Sequence, residues 1–364
     1  VRGVKAALIA GGMGTRIRGV AGEDIPKALV PLAGEAVVVR QLRLLARHGI
    51  LEVAVMAGHL ARVLRAGMEP EARRLGMTSR FFVEEEPLGT AGGLWAARRY
   101  LGDGDFIVLY ADLAVEMDLE RLLSFHRSSG AAVTVTAHPN DHPHESDLIR
   151  AGEDGRVTEV LPRTSRPPGD YPNLVPAAVY GCSPSLFTFL EAETRQDFIG
   201  DVFPKMAAEG ALYAYRTPEY LRDMGTAERF AMAERDITAG LPERMHWSQS
   251  RPAVFFDRDG VLNEEVGGQG LIRLEQFQLL PGAAEAVRLV NERGWLAVVA
   301  TNQPQVAKGF ITSEALQAIH DRLETRLGLQ GAKLDRIHFC PHHPDGGFEG
   351  ESSELKVACD CRKP

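Results

Sequence analysis

Long apolar runs are missing from this chain of 364 residues. None approaches the 18 or more residues of a membrane span, so no spanning helix is expected. Val1–Ala10 holds one short apolar stretch before glycines, which does not read as a secretory signal. Cysteine is scarce, with four in all and three of them in the last 25 residues. That count excludes a disulfide framework and makes a reducing cytoplasm the expected setting. Lysine is scarce as well: seven of 41 basic residues, the rest being arginine. A lysine inside a motif therefore carries weight. An excess of positive charge is absent, and a net charge of −8 gives no general attraction to nucleic acid or to an anionic membrane. Neither is expected as a partner. What remains, 45% hydrophobic and 25% charged residues, is the mix of an ordinary globular protein, long enough for two domains.

Strand and helix patterns alternate along the first part. Lys5–Ala10, Leu51–Ala57, Arg80–Val83 and Phe106–Tyr110 read as strands, with helical spacing at Ala36–His48, Ala91–Tyr100 and Leu119–Ser128. Ala132–Ala137 and Pro176–Gly181 add strands, and a helical stretch, Glu219–Thr238, closes the unit. The alternation predicts a doubly wound α/β domain over residues 1–238. Residues 239–251 read as a linker from Gly240, Pro242 and a polar run. A second α/β pattern occupies 252–364, with strands at Ala253–Phe256, Leu296–Ala300 and Arg336–Phe339. Its helices are Ala283–Arg293 and Thr312–Leu327.

Chemistry-bearing residues cluster at strand ends. Ala10-Gly11-Gly12-Met13-Gly14-Thr15-Arg16 follows the first strand directly. Glycines let a backbone approach a phosphate chain, and Arg16 adds a planar cation suited to phosphate. The loop is neither a Walker motif nor a Gly-x-Gly-x-x-Gly dinucleotide motif. Lys27 follows in a Pro-Lys pair, then Leu88-Gly89-Thr90-Ala91-Gly92 forms a second glycine-bearing turn. Asp112 stands just past an apolar strand, and Asp223 precedes Met224-Gly225-Thr226. Two carboxylates on separate loops can share one divalent cation, which a triphosphate brings with it.

In order and composition these segments resemble the sugar-1-phosphate nucleotidyltransferases, over about the first 235 residues. The resemblance implies that Arg16 and Lys27 hold phosphates. It implies that Asp112 and Asp223 hold Mg²⁺, and that Gly11, Gly12, Gly14, Thr15, Gly89, Thr90 and Ala91 frame the nucleotide. Glu84, five residues before Gly89, stands where the family meets the base edge. A carboxylate there can accept from N1–H and N2–H₂ of guanine, which makes GTP the expected nucleotide. Three positions depart from the family pattern, all toward the sugar: Ala111 for Gly, Pro162-Arg163 for Glu-Lys, and Pro176-Ala177-Ala178 for Asn-Ala-Gly.

The second unit carries Asp257-Arg258-Asp259-Gly260 after a short buried strand, and Thr301-Asn302-Gln303 after the next. Paired aspartates past a strand end can serve as nucleophile and acid/base, and a hydroxyl with two amides can donate to a phosphoryl group. The further acids of a Ca²⁺ loop are missing. Arg362 and Lys363 supply cations later. These motifs resemble the haloacid dehalogenase-type phosphatases. Cys340-Pro341-His342 and, 16 residues on, Cys359-Asp360-Cys361 form two close pairs of soft ligands, the spacing of a closed Zn²⁺ site. His343 is an alternative fourth ligand, and the family pattern favours His342. Cys182 reads as a buried apolar residue.

The cysteine knuckle, its long insert and the closing Cys-Arg-Lys-Pro are most similar to the D-glycero-D-manno-heptose 1,7-bisphosphate 7-phosphatases, over Ala253–Pro364. The resemblance implies Asp257 as nucleophile, Asp259 as acid/base, Thr301 and Lys363 on the phosphoryl oxygens, and Mg²⁺ on Asp257 and the Asp259 carbonyl. A further Mg²⁺ ligand of that family is expected beyond Pro364. Together the units read as a fused enzyme of nucleotide-activated heptose synthesis, whose substrates are a nucleoside triphosphate and sugar phosphates. A hexose 1-phosphate transferase joined to a general phosphatase, and a non-catalytic sugar-nucleotide sensor, are the alternatives. A homo-oligomer is compatible with the sequence.

Overall fold

The computed structural model describes residues 3–12, 25–58 and 60–363. By packing, the chain divides into two units. One comprises Val1–Ala137, Arg150–Val160 and Pro176–Ser250; the other comprises His138–Ile149, Leu161–Val175 and Arg251–Pro364. The second unit thus takes in two segments that the sequence pattern had placed with the first.

A seven-stranded sheet forms the first unit's frame. Its order is Leu212–Arg216, Val133–His138, Val175–Cys182, Phe106–Tyr110, Lys5–Ala10, Glu52–Ala57, Thr78–Val83. Lys5–Ala10 lies parallel to both neighbours, while Val175–Cys182 runs antiparallel to Phe106–Tyr110. The central strands are apolar throughout, as a sheet covered on both faces requires. Helix Val37–Arg47 turns Val38, Leu42 and Leu45 into the core beside Leu8, Val55 and Leu109. Each such buried side chain is worth about 1.5–3 kcal/mol.

Two expectations change here. Glu219–Thr238 is not one helix: Tyr220–Asp223 is a strand antiparallel to Leu113–Glu116, and the helix spans Ala227–Thr238. Thr226 caps that helix through its hydroxyl, so the helix cannot begin earlier. The stretch read as a linker contains helix Leu241–Met245, whose Leu241 and Met245 pack on a small core of Leu32, Tyr220 and Phe230.

In the second unit, Ala253–Phe256, Leu296–Asn302 and Arg336–Cys340 form a parallel sheet in that order. Helices Ala283–Glu292 and Ser313–Gly328 supply its core through Val287, Leu316, Ile319 and Leu323. The segments from the middle of the chain dock on Ser313–Gly328. Arg322 pairs with Asp170 at 2.7 Å, and Glu324 accepts from the Asn173 N–H at 2.9 Å. Among the described residues no helix is long and apolar enough to cross a membrane.

Candidate active sites and a candidate metal centre

Parallel neighbours bring the first site together. Ile9 stands opposite Tyr110, so the glycine loop and Asp112 both leave the carboxyl edge of adjacent strands, where open α/β sheets bind ligands. Met13, Gly14, Thr15 and Arg16 lie outside the described residues. Gly11 and Gly12 are described, and a Cβ on Gly12 would meet nothing within 4 Å. Asp223, last residue of its strand, is the register partner of Leu113, which puts it beside Asp112. Lys27 Nζ lies 3.4 Å from Asp112 Oδ2. Partial burial raises the Asp112 pKa above the usual carboxylate range; Lys27 opposes the shift and the charge of Asp223 adds to it. Asp223 is more exposed and is held by Arg229 at 2.8 Å.

Gln41 was not anticipated. Its buried amide donates at 2.8 Å to both the Tyr110 and Leu113 carbonyls, fixing the turn that carries Asp112.

The second glycine turn is braced rather than open. Gly89 has φ +77°, and a Cβ there would lie 2.5 Å from the Gln196 carbonyl oxygen, so glycine is required. Thr90 N–H and Oγ1 donate to Asp197 Oδ1 at 3.0 and 3.2 Å, and Ala91 N–H donates to the Gln196 carbonyl at 2.9 Å. These amides therefore already have protein acceptors. Glu84 sits between the two glycine segments. Its Oε2 accepts from Leu88 N–H at 3.1 Å, and a Cβ on Gly11 would lie 3.5 Å from the same oxygen. Burial raises its pKa, and the Leu88 bond opposes that.

In the second unit, Asp257 pairs with Lys363 Nζ, and its Oδ1 accepts from the Arg258 N–H at 2.7 Å. The Asn302 amide clasps the Lys363 backbone, donating to its carbonyl at 3.2 Å and accepting from its N–H at 3.1 Å. Gln303 donates to Asp259 and to Thr301 Oγ1, both at 2.8 Å. Both amides expected to face a phosphoryl group thus have partners within the site, and they act by holding charged side chains. Thr301 is buried and Arg362 exposed. Arg258 and His320, unremarked in the sequence, are both buried behind Asp259.

At the end of the third strand Cys340, His342, Cys359 and Cys361 converge, with all four donor atoms within 4.8 Å of one another. Cys340 Sγ lies 3.5 Å from Cys359 Sγ and 3.8 Å from His342 Nδ1; Cys361 Sγ lies 3.1 Å from that nitrogen and 3.3 Å from Cys359. A tetrahedral Zn²⁺ with bonds of about 2.3 Å sets donors about 3.8 Å apart, so this donor set fits the ion. The mutual hydrogen bond lowers the Cys359 pKa and pushes Cys361 up to about 12, a conflict between thiols that a dication relieves. His343 instead turns its ring edge-on to Phe348. The insert between the cysteine pairs folds back on the loop after Gln303: Ser352 N–H donates to the Ala307 carbonyl at 2.9 Å, and Phe348 packs on Phe310.

The family model for nucleotidyl transferases matches residues 5–240. The chain belongs to that family. It is 28% identical over 249 residues to the mannose-1-phosphate guanylyltransferase catalytic subunit beta of Danio rerio, covering 66% of this chain and 68% of that one. Over the C-terminal part it is 48% identical across 100 residues to the D-glycero-D-manno-heptose-1,7-bisphosphate 7-phosphatase of Thermosynechococcus vestitus. That match covers 27% of this chain and half of the relative, so the chain spans only about half the length of that phosphatase. Among solved structures, HddC from Yersinia pseudotuberculosis, also crystallised with GMP-PN, superposes with a TM-score of 0.55 at 22% identity. It covers 64% of this chain and 99% of its own. That likeness establishes the fold of the first unit.

Proposed function

We propose that the chain is a fused enzyme that removes the 7-phosphate from a heptose 1,7-bisphosphate and then couples the resulting heptose 1-phosphate to a nucleotide, releasing pyrophosphate. The observation that carries this reading is the presence, on one chain, of a braced nucleotidyl-transfer site and an Asp257–Lys363 site. The nearest likenesses of these sites act on a sugar 1-phosphate and on a heptose bisphosphate. The product of one reaction is of the class consumed by the other.

In the transferase, carried by residues 1–238, Lys27 and Arg16 neutralise the triphosphate while a sugar phosphate oxygen attacks the α-phosphorus in line. The P–O bond to pyrophosphate breaks with its electron pair. Asp112 and Asp223 would hold Mg²⁺, which supplies further charge neutralisation when bound. Their mutual repulsion suits a cation between them. In the phosphatase, carried by 252–364, an Asp257 oxygen attacks phosphorus and the sugar oxygen leaves, taking up a proton. Water then attacks the aspartyl-phosphate, its proton passes to Asp259, and the electron pair returns to Asp257. Mg²⁺ there would lie on Asp257 and the Asp259 carbonyl. Zn²⁺ on the cysteine cluster is structural, since four protein ligands leave no open position.

GTP is the nucleotide favoured by Glu84, a half-buried carboxylate against the Gly11 segment, and by the guanylyltransferase relatives. A competition assay with four nucleoside triphosphates should show GTP consumed first, and Glu84→Gln should narrow the preference. Equal consumption of all four would end the guanine assignment.

A further inference from the structure

Arg258 is the largest wholly buried side chain in the protein, at 0% exposure, and it sits between the two aspartates of the phosphatase motif. Burying a guanidinium is costly unless every donor is met. Here its Nε and Nη2 both donate to Asp259, to Oδ1 and Oδ2 at 3.0 Å each, the two-pronged geometry specific to arginine. Nη2 also donates to Gln303 Oε1 at 2.8 Å, and Nη1 lies 3.2 Å from His320 Nε2. Burial and the neighbouring Arg258 push the His320 pKa down to about 3, so its Nε2 is a neutral acceptor.

Two more donors reach the same carboxylate. Asn263 Nδ2 donates to Asp259 Oδ1 at 3.0 Å, and Gln303 Nε2 donates to Oδ2 at 2.8 Å. Each oxygen of Asp259 thus accepts two hydrogen bonds, which uses the full acceptor capacity of an ionised carboxylate. Held this way, Asp259 is a fixed acceptor, ready to receive a proton. It is poorly suited to storing one.

We propose that Arg258, backed by His320 and Gln303, is a positioning residue that sets Asp259 as the base for hydrolysis of the aspartyl-phosphate. Its loss slows that half of the cycle more than formation of the intermediate. The inference rests on the phosphatase reading above. In the step concerned, water oxygen bonds to phosphorus, its proton goes to Asp259, and the bond from phosphorus to Asp257 breaks, returning the pair to Asp257 and releasing inorganic phosphate.

The test is rapid-mix kinetics of the full-length protein with p-nitrophenyl phosphate and Mg²⁺. This leaving group departs without an acid, so formation of the intermediate does not depend on Asp259. In Arg258→Lys, which keeps the buried charge but cannot span both oxygens, steady-state phosphate release should fall roughly tenfold to a hundredfold. A burst of about one p-nitrophenolate per chain should appear before it. Arg258→Met should do the same if it folds, as judged by its melting transition. His320→Gln, which retains an acceptor for Nη1, should behave like the parent protein. A fall in rate with no burst, or an Arg258→Lys variant with parental rates, overturns the positioning role. A parent protein that releases no phosphate overturns the phosphatase reading, and this inference with it.

Discussion

Asp112 must be ionised to hold a cation, yet it stands in a setting that resists ionisation. Burial and Asp223 both push its pKa up, and only Lys27 pulls the other way. Removing Asp223 relieves that repulsion but leaves a divalent cation with half its protein carboxylates. Asp223→Ala should therefore lower pyrophosphate release by about a hundredfold or more. Stability should change by no more than about 0.5 kcal/mol, because the side chain is largely exposed. Wild-type turnover in that variant would remove Asp223 from the site. His320 makes a different prediction. Its pKa falls from 6.5 unfolded to about 3 folded, so the unfolded chain takes up a proton that the native chain does not. Stability from this group is complete above about pH 6.5 and is lost as pH falls toward 3. His320→Gln should flatten that part of the acid-unfolding curve, measured by denaturant midpoints at successive pH values. An unchanged slope would mean that His320 is protonated in the native state. Carboxylates at strand ends, Asp112 and Asp257 among them, were legible because an apolar run announces them. Asp197, Gln41 and Arg258 were not, because their partners are remote: Thr90 lies 107 positions from Asp197, Gln41 lies 72 from Leu113, and Arg258 lies 62 from His320.

Elements followed the same logic. Lys5–Ala10, Phe106–Tyr110 and Ala253–Phe256 could be read to the residue, since glycine or a charged group bounds each apolar run. Helix Ala61–Arg74 escaped notice because Gly67 and Pro70 interrupt its pattern. Gly67 is needed there, since a Cβ would lie 2.7 Å from Leu29 Cδ2. Tyr220–Asp223 is a strand only by virtue of pairing with Leu113–Glu116, a long-range fact that local spacing does not carry. The insert following His342 has little core of its own and hangs on the cysteine cluster and the Ala307 contact. About one Zn²⁺ per chain is expected in unchelated protein. Chelation, or Cys359→Ser, should expose residues 343–357 to limited proteolysis while the three-stranded sheet persists. Metal analysis that finds no zinc, or an insert equally resistant after chelation, would contradict a structural metal.

For the whole molecule, the account places two consecutive reactions on one polypeptide. The first rests on family membership over residues 5–240, the second on the phosphatase likeness and on the Asp257–Lys363 pair. The sugar end of the transferase departs from its relatives at Ala111, Arg163 and Pro176, which fits a sugar other than the usual hexoses. The most direct measurement is mass spectrometry of a single reaction containing the full-length protein, a heptose 1,7-bisphosphate, Mg²⁺ and GTP. The account predicts inorganic phosphate, pyrophosphate and a guanosine diphosphate-linked heptose, with heptose 1-phosphate as the intermediate. A protein that turns over a hexose 1-phosphate but forms no nucleotide-linked heptose from this mixture would contradict it.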